Sequence, residues 1–200
     1  MNNRCKTCNI YKKRVPEFSF FEFEETFKKI GKLPYWITFS GGEPFLRKDF
    51  AEICQSASRY CRPKIINIPT NGILFQKIPA DVRKICTAAP HSQIVINLSL
   101  DQWGEAHDAI RQVPGNFKKA MKTYNALKEL KKEFSNLTVG IHTVISRFNV
   151  DEFQELSRKL MALNPDSYIT EIAEERVELD TMDSEITPEL RQYANAVDFL

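Results

Sequence analysis

Two thiols three residues apart open the chain, in Arg4-Cys5-Lys6-Thr7-Cys8. Cys-x-x-Cys is a spacing used by metal and redox sites. Nearby cations, here Arg4, Lys6, Lys12, Lys13 and Arg14, lower a thiol's pKa and favour the thiolate that binds metal. Further groups with chemistry stand where short apolar runs end. Ser40-Gly41-Gly42-Glu43-Pro44 combines bare backbone, which a ligand can approach closely, with a carboxylate for a cation. Pro69-Thr70-Asn71-Gly72 places two small polar side chains at a turn. Ser99 and Asp101 are separated by one residue and so point to the same side of a strand. Ser146 and Arg147 follow a fourth apolar run. Taken singly, the glycine pair reads as a tight turn and Asp101 as a cap. Taken together, they are polar groups that a core would not accept.

The elements that must position these groups alternate along the chain. Helical spacing marks 24–33, stopped by Gly31, then 47–61, 79–89 with Pro79 as a helix-starting proline, and 116–134. It also marks 150–163, capped by Asn149 or Asp151, and a last helix from Pro188 that has not stopped at Leu200. Strands fall at 35–40, 64–72, 93–101, 137–145 and 167–173. Strand and helix recur about every 30 residues, the pattern of parallel βα units. Right-handed crossovers curl such units into a partial, TIM-like (βα) barrel with mostly parallel strands. In parallel α/β folds ligands sit beyond the carboxyl ends of strands, which is where the groups above stand.

Length and composition narrow the classes. Two hundred residues correspond to one domain or a piece of one. With 28 basic and 26 acidic side chains, nothing in the balance argues for a nucleic-acid or membrane surface. No apolar run reaches the roughly 20 residues needed to span a bilayer, and no signal peptide opens the sequence, so the expected location is the cytoplasm. Five cysteines, an odd number, argue against a disulfide framework. Cys54, Cys61 and Cys86 read as small buried apolar side chains.

CKTCNIYKK, FSGGEPFLRKD, PTNG and SLDQWGEAHDAIRQVPGNF resemble the radical S-adenosylmethionine (radical SAM) superfamily. The resemblance is strongest to members with an added C-terminal iron–sulfur domain, the SPASM group, and to the molybdenum-cofactor cyclase. It runs from Arg4 to about Ala173 and implies a radical SAM barrel. The family's cluster motif is CxxxCxxC, and Cys5 and Cys8 match its second and third cysteines. The first would fall at position 1, which is methionine, and the family's first barrel strand would precede it. The expectation is therefore a fragment: residues 1–200 as one radical SAM core domain, incomplete at both ends, with natural loss of the first cysteine as the alternative.

The resemblance further implies a 4Fe–4S cluster and S-adenosylmethionine as cofactors, with Cys5 and Cys8 as metal ligands. By match, Gly41, Gly42 and Glu43 hold the methionine amino group and Pro44 stiffens their loop. Ser99 and Asp101 match the strand that meets the ribose, and Thr70 and Asn71 match the neighbouring strand end. Arg111 pairs with the cofactor's carboxylate or is a surface helix arginine. The implied partners are a small-molecule or peptide substrate and an external reductant such as a flavodoxin or ferredoxin. Thr7 stands where the family often has an aromatic residue, so adenine contact would come from elsewhere, such as the backbone near Ile169. Other readings stay open. His107 and Asp108 are local caps or catalysts, His142 is a core or a pocket residue, and Tyr11 covers the cluster or packs. Glu171, Glu174 and Glu175 are a solvated charge run, unless Glu171 points inward. The competing function is a non-catalytic CxxC metal-binding or redox module, which leaves the GGEP and SLD stretches unexplained. The chain itself is expected to be inactive or weakly active alone and its parent an enzyme, an oxidoreductase or transferase.

Overall fold

The computed structural model describes residues 2–13 and 16–198. Five strands form one sheet: β1 (Trp36–Thr38), β2 (Ile65–Thr70), β3 (Gln93–Ser99), β4 (Leu137–Ile145) and β5 (Tyr168–Ile172). They lie in sequence order and every pair is parallel. A sheet that always adds its next strand on the same side, with helices on one face, curls into a partial TIM-like barrel. The helices are α1 (Phe20–Ile30), α2 (Phe50–Cys61), α3 (Lys77–Ala88), α4 (Glu105–Arg111), α5 (Asn116–Leu130), α6 (Phe153–Met161) and α7 (Leu190–Val197).

The strands alternate, and that decides which face does chemistry. Ile66, Ile68, Ile94, Ile96, Leu98, Val139 and Ile141 are fully buried and form one core with Val82, Ile85, Leu127, Phe153 and Leu160 of the helices. Each such side chain contributes about 1.5–3 kcal/mol on leaving water. The intervening residues, among them Asn67, Asn97, Ser99, Gly140 and His142, share the other face of the sheet. A second small core joins α1 to α2 through Phe27, Ile53, Ala57 and Cys61.

Element boundaries differ from the sequence expectation for local reasons. α1 starts at Phe20 rather than 24, because Ser19 and Glu22 form a capping box across its first turn. α3 starts two residues before Pro79, whose missing N–H costs nothing in a first turn. α4 was not marked as an element by helical spacing, although one reading of Arg111 placed it on a helix. Its seven residues are too few to show a period, and it is bracketed by positive-φ Gly104 and Gln112. Neither Asn149 nor Asp151 caps α6 with a side chain, and a 3-10 turn, Val150–Glu152, comes first. Instead Asn149 accepts from Ser146 N–H at 2.7 Å and donates to Asp101 O at 2.7 Å, tying two strand ends together. α7 begins at Leu190, behind a capping box of Glu189 and Gln192, and the expectation that the helix runs to Leu200 falls outside the described residues. Among the described residues no helix is long and apolar enough to cross a membrane.

Candidate functional site

Beyond the carboxyl ends of the strands is a cavity of about 230 Å³. Cys5, Cys8, Gly41, Gly42, Glu43, Thr70, Asn71, Ser99 and Arg111 all line it, from five separate stretches of chain. Pro44 and Asp101, expected in the same group, stand outside its wall. Pro44 opens a 3-10 turn and borders an adjoining groove with Tyr11, Phe18 and Phe23. Asp101 lies just past the end of β3, fully buried behind the cavity.

Glu43 is the centre of the β1 side. It is 7% exposed. Its carboxylate accepts from Thr70 Oγ1 at 2.8 Å, from Asn71 N–H at 2.8 Å and from Phe45 N–H at 3.3 Å. Burial raises its pKa, while these donors and Arg111 pull the other way. Two carboxylate oxygens offer about four acceptor positions, so room remains for one further donor. Gly41 has φ +124°, and a Cβ there would meet no atom within 4 Å, so the backbone beside Glu43 is open to the cavity. The second strand end is held by Gly72, where φ is +71° and a Cβ would come within 2.9 Å of Ala120 in α5. Only glycine lets that turn close against the helix.

Arg111 is the centre of the opposite side. It extends from α4, its side chain 12% exposed, so the surface-helix reading does not hold. Nε lies 2.7 Å from Asp101 Oδ2, and Nη1 donates toward Cys5 Sγ at 3.6 Å. Burial works against its charge, but the Asp101 carboxylate and the Cys5 thiol outweigh burial and hold it cationic. Asp101 Oδ1 accepts from Val144 N–H, and the Asp101 N–H donates to Nδ1 of fully buried His107 at 3.1 Å. His107 is thereby an acceptor in the scaffold, its pKa lowered to about 4 chiefly by burial and then by Arg111. Asp108 accepts from Gly115 and Phe117 N–H and caps α5.

The N-terminal loop carries the thiols against this wall. Arg4 and Lys6 N–H donate to the carbonyls of Arg111 and Ile110, and Cys8 N–H to Cys5 O. Both thiols are free. The expectation that neighbouring cations lower their pKa is overturned for Cys8. Burial raises it, outweighing Arg111 and Lys13. Arg14 and Met1 lie outside the described residues. Tyr11 sits in the adjoining groove and not in the cavity wall.

Several contributors were not found by sequence reasoning. Asn3 lines the cavity, and Asn2 accepts from Asn71 Nδ2 at 2.8 Å. The stretch after β5, which reads as a polar connector, returns over the site as a strap. Asn9 N–H donates to Leu179 O, Lys13 Nζ to Glu178 O and Arg147 N–H to Ile186 O. The cavity is lined there by Glu174, Arg176, Leu179 and Ile186. His142 and Glu171 both face the cavity, 3.6 Å apart, so Glu171 points inward. Glu174 pairs with Arg176, Glu175 accepts from Asp183 N–H, and Ile169 is outside the wall. Deeper on the same sheet face, Asn97 Nδ2 donates to Asn67 Oδ1, and Asn67 Nδ2 to Thr38 Oγ1.

Comparison with known proteins agrees with this geometry. The model of the radical SAM superfamily matches residues 2–160. Pre-heme d1 synthase of Dinoroseobacter shibae is 28% identical over 160 residues, which is 78% of this chain and 36% of that protein. The sporulation killing factor maturation protein SkfB of Bacillus subtilis is 27% identical over 120 residues, 60% of this chain and 26% of that protein. This chain therefore spans about a third or less of the curated relatives it matches. Among solved structures, native anSMEcpe with bound AdoMet and Kp18Cys peptide superposes with a TM-score of 0.72 at 16% identity, covering 99% of this chain and 56% of that one. The same enzyme with AdoMet alone gives 0.67 at 17% identity, covering 86% and 48%. At such identities the likeness speaks for the fold alone.

The family's cofactors are a 4Fe–4S cluster and S-adenosylmethionine. A buried carboxylate with one acceptor position to spare, beside open glycine backbone, fits an amino-acid ammonium group. For a cluster the described residues present two thiols, and among them no group of three or more His, Cys, Asp or Glu has metal-binding geometry. A partial parallel barrel, the cysteine and glycine–glutamate loops meeting at its carboxyl end, and a family match over 159 consecutive residues converge on one conclusion: the chain belongs to the radical SAM superfamily.

Proposed function

We propose that the cavity is the cofactor site of a radical SAM enzyme, and that residues 1–200 are one part of its core domain, incomplete at both ends. The carrying observation is the meeting of the Cys5–Cys8 loop with Gly41-Gly42-Glu43 across one cavity. When bound, the cluster and S-adenosylmethionine supply a 5′-deoxyadenosyl radical that takes a hydrogen atom from substrate. In this reading Cys5 and Cys8 are two of the cluster ligands. Glu43 accepts from the cofactor's ammonium by a charge-assisted hydrogen bond, and the glycine backbone lies against its methionine end. Arg111 keeps its cation beside Cys5 and offers its free N–H groups to a carboxylate. Asp101 orients Arg111 from behind. Thr70 and Asn71 set the Glu43 rotamer, and Ser99 faces the sugar. Pro44 fixes the backbone at the end of the glycine loop. The substrate is a small molecule or a peptide, and a flavodoxin or ferredoxin serves as reductant.

The test is anaerobic reconstitution with iron and sulfide, followed by iron counting, absorption near 400 nm and calorimetric titration with S-adenosylmethionine. We expect a version extended upstream, with cysteine at position 1, to hold about four irons. The chain as it stands should hold fewer, and Cys5→Ala or Cys8→Ala should abolish the absorption. Iron binding indifferent to both substitutions contradicts the reading. A colourless protein that binds zinc tightly through the same thiols would favour the metal-binding module instead.

A further inference from the structure

We propose that His142 and Glu171 form the substrate-recognition pair of the cavity, and that the group they take is an ammonium ion of the substrate. The proposal rests on the cofactor reading above and deepens it by naming what the remaining wall binds. On the cofactor wall the charges are partnered. Glu43 accepts three hydrogen bonds of the chain, and Arg111 lies against Asp101 and Cys5. The opposite wall comes from β4, β5 and the strap, and supplies His142, Val144, Glu171, Glu174, Arg176 and Ile186. There Arg176 Nε donates to Glu174 Oε2 at 2.9 Å, so those two charges answer each other. Glu171 is left over. Its one polar neighbour among the described residues is His142 Nε2, 3.6 Å from Oε1, which is longer than a hydrogen bond. Nε2 is buried and has no hydrogen-bond partner either.

The sheet sets this geometry. Across β4 and β5, His142 pairs with Ile169 and Val144 with Glu171. His142 and Glu171 are thus diagonal neighbours on one face, a separation that long side chains span. Glu171 stands at the carboxyl end of β5 with its side chain 58% exposed, against 21% for His142. A group entering from solvent therefore meets the carboxylate first and the imidazole behind it. Charge selects the group. Residues 171–185 hold seven acidic side chains against the single Arg176. A field of that sign draws cations to the mouth and turns carboxylates and phosphates away. Among the described residues no three His, Cys, Asp or Glu have metal-binding geometry, so the cation that fits is organic. An ammonium group carries three N–H donors, and a carboxylate with free acceptor positions binds one of them by a charge-assisted hydrogen bond. Glu43 then serves the ammonium of the cofactor and Glu171 that of the substrate.

The experiment follows the histidine ring signals by NMR. The chain has three histidines, and His91 and His107 lie outside the cavity wall. The probes are Nα-acetyl-lysine methylamide, its uncharged Nε-acetyl form, Nα-acetyl-glutamate methylamide and pentylamine. We expect the two ammonium probes to shift the His142 signals saturably and the other two to leave them in place. Glu171→Gln should weaken the ammonium probes about tenfold. Glu178→Gln removes a like charge from the strap outside the cavity wall, and should bind them as the parent does. Calorimetric binding of S-adenosylmethionine should not change in Glu171→Gln. Tighter binding of capped lysine than of pentylamine assigns the ammonium to a peptide and the reverse to a small amine, and either supports the proposal. An unmoved His142 signal, equal shifts from charged and uncharged probes, or equal weakening in both variants overturns it. So does a loss of S-adenosylmethionine affinity in Glu171→Gln, which gives the pair to the cofactor. The probe titration needs no iron, so failure of the cofactor reading shows separately, as absent iron and absent S-adenosylmethionine binding in the parent.

Discussion

Glu43 and Arg111 are two buried charges on opposite sides of one cavity, and each is held differently. Glu43 is set by three donors of the chain, so removing its charge should weaken the cofactor more than the fold. Charge-assisted hydrogen bonds contribute about 1.5–3 kcal/mol. We expect Glu43→Gln to loosen S-adenosylmethionine by roughly 10- to 100-fold, measured by calorimetry. Arg111 is a fold residue as well. Arg111→Met strands the Asp101 carboxylate in the interior, an arrangement that costs about 3–5 kcal/mol. Urea unfolding should show the loss, and the double variant with Asp101→Asn should recover part of it. His107 adds a pH signature. Its pKa is about 4 folded against 6.5 unfolded, so below 6.5 the unfolded chain binds the extra proton. Stability therefore falls as pH drops from 6.5 towards 4, by about 1.4 kcal/mol per unit at most. The nearby charges are Asp101, Asp108 and Arg111. Glu43, raised by burial, has the opposite slope, so the quantity to measure is the difference between the parent and His107→Asn. Glu43 and Asp101 stood out because carboxylates are costly in a core, whereas Cys5, Cys8 and the glycine pair were singled out by spacing and by the family resemblance. Arg111's burial was not readable, because it depends on a short helix and on a carboxylate ten residues away.

At the scale of elements, the strand ends aim the site and the helices hold them there. β4 and β5 show how closely. Gly140 lies on the inner face of β4, where a Cβ would sit 2.3 Å from both Asn97 Oδ1 and Ser167 Oγ. Gly140→Ala must displace the Asn97 and Ser167 side chains and crowd the Ser167 carbonyl, at about 1–3 kcal/mol, and thermal unfolding should register it. Ser19→Ala, by contrast, removes only the α1 cap and should cost about 1 kcal/mol. The strands were legible because their outward residues are mostly Ile, Leu and Val, as with Ile66 and Ile68 in 64–72 and Leu137, Val139, Ile141 and Ile145 in 137–145. The strap over the site was not. Residues 174–186 have no period, and positive φ at Asp180, Asp183 and Glu185 lets them turn repeatedly. Their place is fixed by long-range bonds to Asn9, Lys13 and Arg147, which no local pattern encodes.

For the whole molecule, the sheet has two ends, and β1 is one of them. Among the described residues no strand pairs with its outer edge. Beside it Leu33, Tyr35 and Trp36 are 87%, 67% and 52% exposed. An open edge with apolar neighbours is a template for association. Sedimentation velocity should show concentration-dependent self-association, and Trp36→Lys should reduce it. The family match, the parallel sheet and the shared cavity all converge on cofactor chemistry at the carboxyl end of the barrel. The most direct measurement is 5′-deoxyadenosine made from S-adenosylmethionine and dithionite by the upstream-extended protein carrying cysteine at position 1. Its formation, lost on Cys5→Ala and sharply reduced by Glu43→Gln, is the expected result. A protein that holds its cluster and releases no 5′-deoxyadenosine, or one indifferent to both substitutions, would contradict the assignment of the site.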